Sequence, residues 1–239
     1  MFQRKKYKSF ARTQLSGRWG IPVLVTLFIL IISVIFSIPD ILQSYKTGYY
    51  AALFSMDIEA LRDSLLKSTN SSLLATLIQS IVNAILVVAS LNVYIKMSRS
   101  PEPVKFSDFI EGFNNWARAI LALLWQFLWI FLWMLLLIIP GLIKSIAYSQ
   151  TFYIIAEFKD ISVTKALRIS IEITKGHKLD LFVMYLSFIG WDLLSFLTPF
   201  GILQLWVVPY KHMTYINAFH ALMKEAIESG RIKPEDLTE

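Results

Sequence analysis

No cysteine occurs among the 239 residues, which excludes disulfide frameworks and thiolate metal sites. Charge is scarce: 17% of residues are Asp, Glu, Lys or Arg, against roughly 25% in a soluble domain. Catalytic signatures are missing too. The chain has no GxSxG, HExxH, phosphate-binding P-loop or GxGxxG, so no enzyme activity and no cofactor is expected. The only imidazoles are His177, His212 and His220. His212 and His220, eight residues apart, can share a helix face, but without a nearby carboxylate they make a poor metal site. No metal is expected.

What fills the chain instead is apolar sequence. Hydrophobic residues make up 56%, and the mean hydropathy is +0.56. Several uncharged runs approach the ~20 residues a helix needs to cross a bilayer. The organising stretch is LLLIIPGLIKSIAY, Leu135–Tyr148, where an apolar run meets Pro140-Gly141 and resumes. Proline removes a backbone donor and glycine accepts a left-handed turn, so the pair is expected to reverse a helix. A second reversal is expected at LTPFG, around Pro199 and Gly201. The fold class that follows is all-α, a single integral membrane domain over 1–239. Its six transmembrane helices run over about 21–39, 73–95, 116–139, 141–158, 179–198 and 200–223, with amphipathic interfacial helices between hairpins.

The basic arm before the first run resembles a signal-peptide n-region, but no small-residue cleavage site follows Ser37. Residues 21–39 are therefore expected to be an uncleaved span. In that arm Tyr7, Phe10, Ala11, Leu15 and Trp19 fall near one side at helical spacing among basic residues, which suits an anionic membrane surface. After the first run, Ile58, Leu61 and Leu65 mark a short helix with Ser55 as its cap, and Ser107 is expected to cap another with Phe106, Phe109 and Phe113. Asn70-Ser71-Ser72 fits the glycosylation sequon, a weak pattern. The cleanest amphipathic helix is 162–176, with Ser162 as its N-cap and Gly176 as its stop. It is expected to lie flat on the inner surface and cover the spans. Pro209 is expected to kink the last span.

Polar groups inside the runs are the candidate site residues. Gln79, Asn83, Gln126 and Gln150 either join helices through hydrogen bonds or line a path for a solute. Asp192 is the single acid within a span, and Lys144 lies at comparable depth in the neighbouring hairpin. A charge in hydrocarbon needs a partner, so an Asp192–Lys144 pair is expected to fasten the two hairpins. Trp125, Trp129 and Trp133 recur every four residues, a row that suits helix packing or lipid contact. The two hairpins also share a layout and would be parallel repeats, as in some transporters.

Basic residues fix the orientation. With the N-terminus inside, the inner segments hold 19 of the 23 Lys and Arg, and the outer side holds Lys46, Arg62, Lys67 and Lys144. That asymmetry is the positive-inside pattern, and it places both termini in the cytoplasm. Spread over four flanks, the same charges do not form a nucleic-acid-binding face.

Over Ile138–Tyr210 the residues IIPGLIKSIAYS (138–149), Ala166, Ser170, Gly176, LSFIGWDLLSFLT (186–198) and GILQLWVVPY (201–210), with Phe219 and LSGRWG (15–20), carry a resemblance. The chain resembles a bacterial family of uncharacterised integral membrane proteins, domain of unknown function 975. The resemblance implies a multi-span protein of the cell membrane and brings no activity or catalytic residues. Two positions depart from the family pattern: FKDIS (158–162) lacks a proline, and GHK (176–178) stands where GNK is usual. The expected function is a non-enzymatic scaffold or accessory protein with membrane lipids and a membrane-protein partner or a second copy as its contacts. The alternative is a small permease or lipid-handling transporter with a site between the 116–158 and 179–223 hairpins.

Overall fold

The computed structural model describes residues 2–68, 73–198 and 201–237. It is 84% helix, and no strand occurs among the described residues. The order is α1 (Arg4–Leu15), α2 (Gly20–Lys46), α3 (Tyr49–Ser55), α4 (Ile58–Ser68), α5 (Leu73–Arg99), α6 (Phe106–Gly112), α7 (Trp116–Leu136), α8 (Ile138–Tyr148), α9 (Thr151–Glu157), α10 (Val163–Thr174), α11 (Lys178–Leu197) and α12 (Gln204–Glu228). These gather into two compact units, residues 28–83 and the remainder.

Among the described residues, three stretches are long and apolar enough to cross a membrane: Gly20–Lys46, Ala75–Arg99 and Phe106–Leu136. The expected 141–158 span is not one unbroken helix. It divides at Ser149-Gln150 into α8, of 11 residues, and α9, of 7, and at ~1.5 Å per residue neither alone covers a hydrocarbon core of about 30 Å.

In the 28–83 unit, α3 and α4 pack together and the connection between them turns through Met56, at φ +54°. The cap of α4 is Asp57, whose Oδ1 accepts from Ala60 N at 3.0 Å. Ser55, the expected cap, donates instead to Ala51 O at 2.9 Å. Gln79 Nε2 donates to Ser37 Oγ at 3.2 Å, and Ser33 Oγ donates to Asn83 Oδ1 at 3.4 Å, so both amides link α2 to α5. The Asn70-Ser71-Ser72 sequon lies outside the described residues.

In the larger unit the core collects on α10 and the second half of α12. Ala166, Ile169, Ser170, Ile173 and Thr174 are buried on α10, a strip at helical spacing. Ser162 Oγ accepts from Lys165 N at 3.4 Å as the N-cap, and Gly176 leaves the helix at φ +86°. The helix packs on α7, α8, α9 and α12, so its apolar face is spent on protein. Helix α1 follows the same logic: Tyr7, Ala11 and Leu15 are buried against the core while Phe10 stays exposed, and the helix lies along α12. The surface-bound arm expected from the sequence is thus docked. Gln14 Oε1 accepts from Asn217 Nδ2 at 2.8 Å, and Arg18 donates to Met97 O at 3.3 Å.

Two contacts set the approach of α6 and α9. A Cβ on Gly112 would stand 2.5 Å from Ala89 O, so α5 and α6 touch backbone to backbone. The α6 N-terminus is closed by Asp108, whose Oδ2 accepts from Lys105 N at 2.7 Å, and not by Ser107. Arg118 on α7 donates to the carbonyls of Ile155, Phe158, Lys159 and Ile161. A guanidinium fork thereby satisfies the open carbonyl end of α9 and the turn behind it.

Candidate functional site

The first hairpin turns at Leu137, which is extended (φ −160°, ψ 140°) between α7 and α8. Pro140 and Gly141 lie inside the first turn of the returning helix, where a missing N–H is tolerated. Gly141 has no left-handed φ. It serves close approach instead, since a Cβ there would stand 2.3 Å from Met134 Cγ and 3.1 Å from Met134 Cα. Leu135 to Ile139 at the turn are 67–71% exposed. At the turn Leu137 N donates to Trp133 O at 3.1 Å, and Gly141 N donates to Leu137 O at 3.3 Å. The second hairpin reverses differently. Thr198 ends α11 in an extended conformation, and Gly201 is left-handed at φ +63°. Pro199 lies outside the described residues. Helix α12 then runs continuously through Pro209.

The two charges expected within spans, Asp192 and Lys144, find other partners than each other. Both carboxylate oxygens of Asp192 accept from Lys211 Nζ at 2.9 Å. Lys144 Nζ sits 4.9 Å from the centre of the Trp133 ring, a cation–π contact. Each hairpin therefore closes on itself, and the Asp192–Lys144 fastening does not form. Asp192 and Lys211 are 19 residues apart around the Gly201 reversal, so two antiparallel helices bring them level. That mirror spacing was available in the sequence.

Gln150 is buried at the break between α8 and α9. Its N donates to Ser170 Oγ at 3.2 Å and its Nε2 to Tyr185 OH at 3.1 Å, while Ser170 Oγ donates to Ala147 O at 2.7 Å. Its Oε1 has no protein partner, and neither has Gln126 Nε2 on α7. The cluster joins α8, α10 and α11 through side chains that pattern reading left unassigned: Ser149, Ser170 and Tyr185.

The histidines separate. His212 stacks on Tyr94 with ring centres 5.1 Å apart. His220 Nε2 stands 4.0 Å from Glu157 Oε2, a carboxylate also paired with Arg99. His177 lies between Asp180 Oδ2 at 3.3 Å and Glu225 Oε1 at 2.8 Å, and Arg231 reaches Glu225 at 3.2 Å. The hydrogen bond with His177, then its charge and that of Arg231, holds the Glu225 carboxyl below its ordinary value.

At the junction of α1, α11 and α12 the structure holds a cavity of about 230 Å³ lined by Arg12, Trp19, Trp191, Leu203, Trp206, Val207 and Tyr210. Sequence reasoning named none of these as a site. Three of the tryptophans of the chain meet there only because α1 folds back onto α12. Lys8 lies alongside, 4.2 Å from the centre of the Phe188 ring. Its burial, with Arg12 and Arg4 nearby, pushes its ammonium below the usual lysine value.

The family model described as "Protein of unknown function (DUF975)" matches residues 1–146 and 126–226. No curated protein and no solved structure matches the chain.

Proposed function

The chain belongs to the DUF975 family, and from that premise we propose that it is a non-enzymatic, multi-span protein of the cell membrane, with both termini in the cytoplasm. In this reading it acts as a scaffold or accessory protein that engages lipid or a membrane-protein partner. The observation that carries the proposal is the α7–α8 turn, five consecutive large apolar residues 67–71% exposed. In water such a turn is an aggregation liability. In hydrocarbon those side chains meet a medium as apolar as themselves, and two amides of the turn, Leu137 N and Gly141 N, are bonded within the chain. The apolar band continues over Leu124, Phe127, Leu128 and Phe131 on α7 and over Leu186, Ile189, Leu193 and Leu194 on α11.

The uneven division of basic residues supports the orientation: with Lys211 set level with Asp192 inside the second hairpin, 18 of the 23 remain on the expected inner segments. It holds whether the 116–158 hairpin crosses fully or turns within the bilayer, since both return the chain to the same side. Because the protein has no native cysteine, single introduced thiols test this cleanly. A membrane-impermeant maleimide on intact cells is expected to label Ser55→Cys, and to reach Ser162→Cys or Ser229→Cys only after permeabilisation. Labelling of Ser162→Cys from outside would end the proposal. Purification in mild detergent with identification of bound lipids and proteins then separates the roles: a retained small solute without lipid or partner would favour transport.

A further inference from the structure

The cavity between α1, α11 and α12 has the composition of a binding site for an amphiphile. Its walls are apolar and aromatic: Trp19, Trp191, Leu203, Trp206 and Val207. Residues 203, 206, 207 and 210 fall three and four apart, so α12 presents them as one strip. Among the described residues lining it, Arg12 is the only charged one, and none is a carboxylate. Its guanidinium stands 5.6 Å from the centre of the Tyr210 ring. The Tyr210 hydroxyl is buried and has no hydrogen-bond partner, which costs stability unless a further group bonds there. Trp191 and Trp206 are each 46% exposed, so the cavity opens along the apolar face of the hairpin.

We propose that this cavity binds one anionic phospholipid. Its phosphate accepts hydrogen bonds from Arg12 and from the Tyr210 hydroxyl, and the upper part of an acyl chain lies against Trp191, Trp206 and Val207. Tryptophan and arginine together match the boundary between headgroup and chain. The charge balance selects the anionic class. Helix α1 contributes Arg4, Lys5, Lys6, Lys8 and Arg12 without an acid, and among the described lining residues there is no carboxylate to meet the cation of a zwitterionic headgroup.

The inference rests on the membrane reading above, and one experiment keeps the two apart. The full chain is reconstituted in phosphatidylcholine vesicles, and tryptophan fluorescence is followed as lipid with brominated acyl chains is introduced, either phosphatidylglycerol or phosphatidylcholine. Quenching by the brominated phosphatidylglycerol is expected at about fivefold lower mole fraction, the advantage one basic residue confers at an anionic lipid. Arg12→Gln is expected to remove that preference while bulk quenching persists, and Tyr210→Phe to weaken it. Trp191→Phe with Trp206→Phe is expected to lose the preferential component of the signal. Lys5→Gln, outside the cavity, is expected to keep the preference. Helicity by circular dichroism confirms that each variant is folded. Equal quenching by both lipids, a preference that survives Arg12→Gln, or one lost equally in Lys5→Gln overturns the site and leaves the membrane reading standing. Absence of quenching by either lipid overturns the membrane reading itself.

Discussion

Gly112→Ala is a one-carbon change with a large expected effect. The added Cβ would stand 2.5 Å from Ala89 O, 2.6 Å from its Cα and 2.9 Å from its carbonyl carbon. Those are backbone atoms of α5, so no rotamer change relieves the clash. Ordinary contact requires α6 to retreat by roughly 1 Å, and overpacking of that kind costs about 1–3 kcal/mol. The retreat also strains the bonds that hold α6 in place: Asn92 Nδ2 to Asp108 O at 2.6 Å, and Lys96 Nζ to Asp108 at 2.9 Å and to Glu111 at 2.6 Å. Against this, alanine gains helix propensity, at most about 1 kcal/mol. Gly190→Ala isolates that gain, because Gly190 is helical, exposed and has nothing within 4 Å of the added carbon. In detergent, thermal unfolding followed by circular dichroism is expected to show Gly112→Ala lower by roughly 3–6 °C and Gly190→Ala equal or higher. If both variants rise together, the close approach of α5 and α6 is wrong.

Arg118→Lys should destabilise by about 2–4 kcal/mol, because an ammonium cannot reach four carbonyls around the end of α9; its unfolding midpoint against that of Arg118→Met checks whether charge alone suffices. A double-mutant cycle of Asp192→Asn with Lys211→Met should give a coupling of about 1 kcal/mol, while Asp192→Asn with Lys144→Met should be additive within about 0.5 kcal/mol. Measured coupling in the second cycle would restore the Asp192–Lys144 fastening. Acid should loosen the His177 cluster. With its carboxyl held below the ordinary 4.5, Glu225 contributes stability that is present above that value and lost as pH falls through the depressed one. The loss in wild type between pH 5 and pH 3 should therefore exceed that in Glu225→Gln, followed by the same melts.

Some of the architecture was legible in local pattern. Helix α10 was readable from Ser162 through Gly176 because capping and 3.6-residue periodicity are properties of neighbouring residues. Pattern reading failed where a residue's role depends on a distant one. Gly141 looked like a turn former but serves the approach of α8 to Met134. Lys144 and Asp192 looked like partners because they share an expected depth, whereas antiparallel packing sets Asp192 against Lys211. The α1 stripe looked like a lipid-facing surface, since an apolar face does not declare whether lipid or protein will cover it.

The sequence by itself determined an all-helical chain, its apolar stretches and the uneven placement of its basic residues, because periodicity, hydropathy and charge are read residue by residue along the chain. Tertiary structure alone decided which helix meets which: that α1 docks on α12, that Arg118 closes α9, and that Arg12, Tyr210 and three tryptophans surround one cavity. Those choices turn on side-chain shape and on the pairing of buried polar groups between segments far apart in sequence, and no local pattern encodes either.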